Sequence, residues 1–255
     1  MREIEIGQVA TSYARTRDDI PASLMDSLYT RGIFFDGKSI ADIGCGTGAL
    51  TRKMAMRKAK VVGVEPSKDL LENANALNRL KNYTIPYQQG TAEDTGLEGS
   101  NYDIVTVMRA WHQFDRPKAI KEIKRILKTK GMLIVIDSMF LSGSATVDKT
   151  SQVLTNLVNG GLMPNELKTD SQRINGFPVV WFDEWQKQGF EMIDFYKLNY
   201  SVNFTKDEWL DGVESIRLEV EGQNKLRKEL AALLPNEESY QIPYACNVCI
   251  LKLIK

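Results

Sequence analysis

The sequence predicts an α/β fold built on a doubly wound, mostly parallel sheet. Two observations carry this. From residue 39 to residue 137, short apolar runs alternate with amphipathic helical stretches, as in parallel strands joined by crossover helices. Within that stretch, Asp42-Ile43-Gly44-Cys45-Gly46-Thr47-Gly48 joins the first strand to the first crossover helix through glycines at alternate positions. Such a turn lets the backbone approach a ligand where any Cβ would clash, and the helix that follows offers free N–H groups.

The elements follow in order. Residues 1–38 read as helical with a polar face; Pro21 opens a run in which Leu24 and Leu28 share one side, and Gly32 and Gly37 end it. Residues 40–43 are the first strand, 47–58 a helix and 60–65 the second strand. Residues 67–80 are a helix that Ser67 caps, with Asp69 in its first turn. Residues 84–89 are a short strand, and Pro86 within it favours an outer position. Residues 102–108 read as a strand buried on both faces. Residues 117–127 are a helix with Pro117 at its start and Ile120, Ile123 and Leu127 on one side. Lys130-Gly131 separates it from a strand over 132–137.

After Asp137 the alternation stops. Residues 142–189 read as an insertion or lid over the carboxyl edge of the sheet. Residues 190–202 return to a strand pattern, 206–234 are largely helical, and 242–253 form a last strand that completes the sheet. No repeat or linker intervenes, so residues 1–255 are expected to form one domain. Its parts are a helical cap (1–38), a ligand-binding core (39–137), the insertion (142–189), and C-terminal strands with a helix (190–255).

Composition narrows the function. Hydrophobic residues make up 43% and charged residues 26%, enough for a core without disulfides or metal. The 33 basic and 33 acidic residues cancel, so net charge gives no reason to expect a nucleic-acid or membrane partner. No apolar run approaches the roughly 20 residues of a spanning helix, and the N-terminal residues lack the apolar segment of a signal peptide. A cytoplasmic protein is expected. Cys246 and Cys249 form a C-x-x-C pair in the last strand, where positions three apart face opposite sides. They are expected to pack rather than to bind metal or cycle redox states.

The turn separates two ligand classes. A dinucleotide fingerprint places its third glycine three residues after the second; here Gly48 follows Gly46 by two. Asp42, two residues before Gly44, would repel a pyrophosphate and suits a ligand with an ammonium group. Glu65, ending the second strand, is placed to accept from both hydroxyls of a ribose. After the third strand, Gln89-Gly90-Thr91-Ala92-Glu93-Asp94 sets an acid where an exocyclic amine of adenine could donate.

Taken together, Ile40 to Gly48, Val62-Gly63-Val64-Glu65-Pro66-Ser67, Gly90 to Asp94, Tyr102-Asp103-Ile104-Val105 and Ala119 to Lys128 resemble the class I S-adenosylmethionine-dependent methyltransferases. The likeness is to the small-molecule branch that includes the ubiquinone-biosynthesis and trans-aconitate types, and it covers residues 9–137. It implies a seven-stranded Rossmann-like sheet with an antiparallel last strand, S-adenosyl-L-methionine as cofactor and a small-molecule methyl acceptor. It also implies roles. Gly44, Cys45, Gly46 and Gly48 would wrap the methionine part, with Asp42 near its amino group. Glu65 would bind the ribose and Pro66 flank the adenine, whose edge Ala92 and Glu93 would contact. Arg109 and Ala110 would line the methyl end. Tyr13-Ala14-Arg15-Thr16-Arg17 resembles a segment that closes over the cofactor, with Arg17 pairing with its carboxylate; Asp18 departs from the proline found there in the family.

The loop after the fourth strand should open onto the acceptor. His112 lies there and is the only histidine in the chain. Its ordinary pKa near 6.5 suits a general base, although a histidine at this place could equally orient the loop. Trp111, Phe114 and Tyr13 are expected to line the acceptor pocket, and Trp181 and Trp185 to pack a helix face. Competing readings are an NAD(P)-dependent oxidoreductase and a non-catalytic S-adenosylmethionine-binding module. A nucleic-acid methyltransferase is disfavoured by Met108-Arg109-Ala110-Trp111, where amino-group modifiers carry Asn/Asp-Pro-Pro-Tyr/Phe.

Overall fold

The computed structural model describes residues 20–157, 172–214, 223–235 and 237–254. Among them a seven-stranded sheet runs in the order β3-β2-β1-β4-β5-β9-β8. The strands are β1 (Ser39–Ile43), β2 (Lys60–Glu65), β3 (Tyr87–Gln89), β4 (Tyr102–Met108), β5 (Leu127–Phe140), β8 (Phe190–Phe204) and β9 (Tyr240–Leu253). β6 (Arg173–Ile174) and β7 (Phe177–Pro178) form a separate small hairpin. The first five sheet strands pair in parallel. β9 is antiparallel to both β5 and β8, so the last strand reverses direction between two parallel neighbours.

Helices cover both faces because β1 and β4 present apolar side chains to each. On one face α1 (Ser23–Thr30) and α2 (Ala49–Met56) pack Leu24, Leu28, Leu50 and Met54 onto Ile40, Ile104 and Ile134. On the other, α4 (Arg116–Ile126) and α6 (Val179–Lys187) bring Ile120, Ile123, Trp181 and Trp185 onto Ala41, Ile43 and Val105. Cys246 and Cys249 are buried on opposite faces of β9, one in each core. α3 (Lys68–Leu80) starts at Ser67, whose hydroxyl accepts from Leu70 N at 3.4 Å. Pro86 precedes β3, which lies at the sheet edge, and Pro86 O accepts from Gly63 N.

The region expected as a lid divides in two. α5 (Ala145–Leu157) packs with α7 (Lys206–Glu214) and α8 (Gln223–Leu233) around Phe204, Tyr240 and Tyr244. These helices cap the ends of β5, β8 and β9, which project beyond the Met108–Ile136 pair where β4 ends. α6 instead covers the sheet as a crossover helix, because Trp181 and Trp185 are 3% and 0% exposed and need an apolar partner surface. The hairpin before it turns at Asn175-Gly176, both left-handed (φ 44° and 83°). Asn-Gly is the usual sequence of such a turn, so the stretch 142–189, expected to hold no strand, contains this two-stranded hairpin. β5 also begins earlier than expected: the pairing jumps from Tyr102–Leu127 to Ile104–Met132 around Lys130 (φ 63°).

Glu122 ties α4 to the loop after β3. It accepts from Thr95 N at 3.0 Å and Thr95 Oγ1 at 2.5 Å, and pairs with Arg125 Nε at 2.6 Å. The Arg125 hydrogen bond, more than the opposing burial, holds the Glu122 carboxyl down at about 2. The stability it contributes is therefore present above 4.5 and lost as pH falls through about 2. Glu122→Gln is expected to lower the unfolding free energy at pH 7 by about 1–3 kcal/mol. The deficit should shrink toward pH 2, as read by urea titrations across pH.

Candidate functional site

The glycine turn leaves β1 in a conformation only glycine adopts easily. Gly44, Gly46 and Gly48 have φ of 69°, 55° and 77°. Each stands in a different space. A Cβ on Gly44 would lie 2.7 Å from Ala110 Cβ, so the loop after β4 presses directly on the turn. A Cβ on Gly48 would collide with the Tyr87 hydroxyl, which fills the space beneath the turn. Among the described residues a Cβ on Gly46 would meet no atom within 4 Å, so they leave the outer side of the turn open. Gly44 N and Cys45 N donate to Val64 O at 2.8 and 3.1 Å, anchoring the turn to the next strand.

Glu65 completes this wall. It is 7% exposed, and its Oε2 accepts from Gly46 N at 3.0 Å while Oε1 accepts from Ser67 N at 3.1 Å. A carboxylate offers about four acceptor positions, so both oxygens retain capacity for further donors. Pro66 is exposed beside it, and its carbonyl accepts from Gln89 Nε2 at 3.1 Å. Ala92 is buried. Glu93 Oε1 accepts from Asp115 N at 2.8 Å, where α4 begins, so this side chain also joins two loops.

Asp42 has a different place from the one expected. It is 1% exposed, and both oxygens are engaged: Oδ2 by Thr51 Oγ1 at 2.6 Å and Oδ1 by Thr106 Oγ1 at 2.7 Å. It braces β1 to α2 and β4 beneath the turn, so it shapes a ligand's seat from behind. Burial, resisted by the two threonines, pushes its carboxyl up to about 6. Cys45 is half-buried, and burial raises its thiol well above the ordinary value.

The loop after β4 forms the second wall. Arg109 is left-handed (φ 56°), and its N donates to Ile136 O at 2.9 Å. Ala110 leads into a short 3₁₀ turn, Trp111–Gln113. Trp111 is 2% exposed with its ring 5.5 Å from that of Trp185. The expected pocket-lining tryptophan is thus a core anchor, because α6 supplies an aromatic surface that buries it. Phe114 is half-buried and reaches the turn, 3.5 Å from a Cβ built on Gly44. His112 is half-buried, with Nε2 3.4 Å from Gln113 Nε2. Tyr13, Arg15 and Arg17 lie outside the described residues.

Two charged groups join this edge that sequence reasoning did not single out. Asp137 lies on β5 at the level where Arg109 leaves β4. Burial raises its carboxyl, and His112 opposes that first, followed by the Ser138 amide, Arg109 and Arg173. An acid at the carboxyl end of a strand was the signal that picked out Glu65, and it applies to Asp137 equally. Arg173 comes from the hairpin that the Asn175-Gly176 turn would have revealed.

A parallel sheet with a glycine turn, a strand-end acid and a strained loop at one carboxyl edge defines a Rossmann-like fold of the kind class I methyltransferases have. Residues 41–135 match the family described as a methyltransferase domain. An uncharacterized methyltransferase of Mycobacterium tuberculosis is 32% identical over 130 residues, 51% of this chain and 50% of that protein. The ubiquinone biosynthesis O-methyltransferase of Haemophilus ducreyi is 34% identical over 110 residues, 41% of this chain and 46% of that one. The chain thus spans about half the length of these curated relatives. A solved structure described as a candidate methyltransferase of Bacillus halodurans superposes with a TM-score of 0.59 at 17% identity, covering 92% of this chain and 100% of that one. No helix among the described residues is long and apolar enough to cross a membrane.

The raised carboxyl of Asp42 has a testable consequence. Its contribution to stability is fully present below 3.8 and is lost as pH rises through about 6. Asp42→Asn removes that dependence, so the wild type should lose stability relative to the variant between those values, by roughly 3 kcal/mol at most. Paired denaturation curves from pH 4 to 7.5 measure it; a constant difference across that range would contradict it.

Proposed function

We propose that this protein transfers the methyl group of S-adenosyl-L-methionine to a small-molecule acceptor. The observation that carries this reading is the open glycine turn bonded to Glu65 through Gly46 N. The fit rests on the donor set. Gly46 leaves room for a ligand where a Cβ would stand, and Glu65 keeps acceptor capacity for ribose hydroxyls. Pro66, Ala92 and Glu93 would flank the adenine, while Cys45, Arg109 and Ala110 would border the methionine end. When bound, the cofactor supplies a sulfonium methyl that a nucleophile can attack.

The chain's own residues then have three tasks. The turn and Glu65 fix the orientation of the donor. Phe114, against the turn, excludes water from the methyl's surroundings. His112 takes the proton from the acceptor's hydroxyl or amine as that atom forms its bond to carbon. Tyr13 and Arg17 would close the site from the N-terminal segment.

Titration calorimetry with S-adenosylmethionine and S-adenosylhomocysteine tests the donor: binding of both is expected, and binding of neither would overturn the reading. For the base, His112→Ala should leave cofactor affinity within about twofold and lower turnover at least about tenfold. Turnover is followed as S-adenosylhomocysteine released with a panel of small hydroxyl and amine acceptors. Turnover equal to the wild type would remove His112 from the reaction.

A further inference from the structure

The amino edge of the sheet, at the opposite end from the glycine turn, holds a cleft that the proposed reaction does not use. Its volume is about 500 Å³, and its walls include Ala55 of α2, Ala59 after that helix, Val61 of β2, Tyr83 and Pro86 ahead of β3, and Tyr102 at the start of β4. Small-molecule sites occupy roughly 300–1,000 Å³ and are mostly apolar, with a few fixed polar groups. Here the fixed polar groups come from the backbone of one residue.

The direction of the hydrogen bonds along β2 identifies that residue. Lys60 N donates to Lys38 O and Val64 O accepts from Gly44 N, so Lys60, Val62 and Val64 face β1. Gly63 N donates to Pro86 O and Glu65 O accepts from Gly90 N, so the alternate residues face β3. Val61 therefore directs its N–H and C=O to the β3 side. Yet β3 pairs with β2 only from Gly63 to Glu65. Two residues back along that register Val61 stands opposite Ile85, where its carbonyl would accept from the N–H of residue 86. Residue 86 is proline and has none. The 83–86 segment is also tied to α3, by Tyr83 N to Asn78 O and Asn78 Nδ2 to Ile85 O, both at 2.9 Å. Among the described residues nothing bonds to the Val61 N–H or C=O, although Val61 is 6% exposed. Buried backbone donors and acceptors almost always have partners, so this pair is unsatisfied and aimed into the cleft.

We propose that this cleft is a second ligand site, separate from the glycine turn, and that it takes a flat cyclic amide or nitrogen heterocycle whose edge carries a donor beside an acceptor. The ligand's acceptor meets the Val61 N–H and its donor meets the Val61 C=O, as a neighbouring strand's backbone does in a ladder. The Tyr83 and Tyr102 rings and the two alanines give its flat body an apolar wall. Val61 alone on this side of β2 offers such a pair among the described residues, so a peptide strand would gain two bonds at most. That favours a compact ligand.

Proton–nitrogen NMR of the full chain tests this with 2-pyridone, whose ring sets an N–H beside a C=O, and with N-methyl-2-pyridone, which lacks the donor. Titrating 2-pyridone into the millimolar range should shift the Val61 amide saturably, with Thr84 and Ile85 following. N-methyl-2-pyridone should bind at least about fivefold more weakly, the loss of one hydrogen bond. Ala55→Phe, which fills the cleft, should abolish the Val61 response. No saturable Val61 shift, equal affinity for the two probes, an undiminished response in a folded Ala55→Phe chain, or a response confined to the amides of Gly44 to Gly48 would overturn the proposal. If Ala55→Phe does not fold, the comparison of the two probes on the wild type decides. Failure to bind S-adenosylmethionine would undo the proposed function and leave these shifts untouched, so the two failures are distinguishable.

Discussion

A carboxylate with no access to water holds the centre of this molecule together. Asp42 lies in the core of the sheet with a threonine hydroxyl on each oxygen, one from α2 and one from β4. Hydrogen bonds to a charged group contribute about 1.5–3 kcal/mol each, yet burial still wins, as the raised carboxyl shows. The arrangement costs stability at neutral pH. In return it joins the strand before the turn, the helix after it and the neighbouring strand into one unit. The three left-handed glycines between those elements then have little freedom to move.

The turn is also supported from below. Gly63 on β2 and Gly48 at the start of α2 leave a slot that the Tyr87 ring fills. Burial pushes the Tyr87 hydroxyl up to about 12, and the nearby Arg52 charge opposes this. Arg52 is 6% exposed and donates to Thr47 O at 2.6 Å, so the carbonyl side of the turn is held as well. The under-surface is thus filled by ring, guanidinium and carboxylate. Among the described residues, the outer side at Gly46, with Glu65 beside it, remains open to a ligand. Rigidity beneath and space above are what binding a flexible donor in one orientation requires.

The carboxyl edge divides its labour between the two sides of the switch from β1 to β4. β1, β2 and the loop after β3 carry the donor wall. β4, β5 and the hairpin carry His112, Asp137 and the two arginines. Trp111 links this second wall to the core: its burial against Trp185 converts a loop residue into an anchor. The helices over the projecting ends of β5, β8 and β9 have their own apolar core, so this cap is free to differ in sequence without disturbing the donor wall.

Much of this was legible in the sequence because it depends on neighbours along the chain. Strand–helix alternation, the glycine spacing, the Ser67 cap, Pro86 at an edge and the opposed faces of Cys246 and Cys249 are local patterns, each with a local cause. The Asn175-Gly176 turn is a local signal of the same kind. What only the tertiary structure decided is which side chains meet across the sheet. Thr51 and Thr106 are distant in sequence and carry no signal until Asp42 stands between them. Trp111 reads as a pocket residue until α6 buries it, and Asp137 reads as a strand end until the sheet sets it level with Arg109 at the end of β4. Periodicity and turn chemistry act over a few residues, whereas burial and charge pairing depend on long-range contacts that exist only once the sheet has formed.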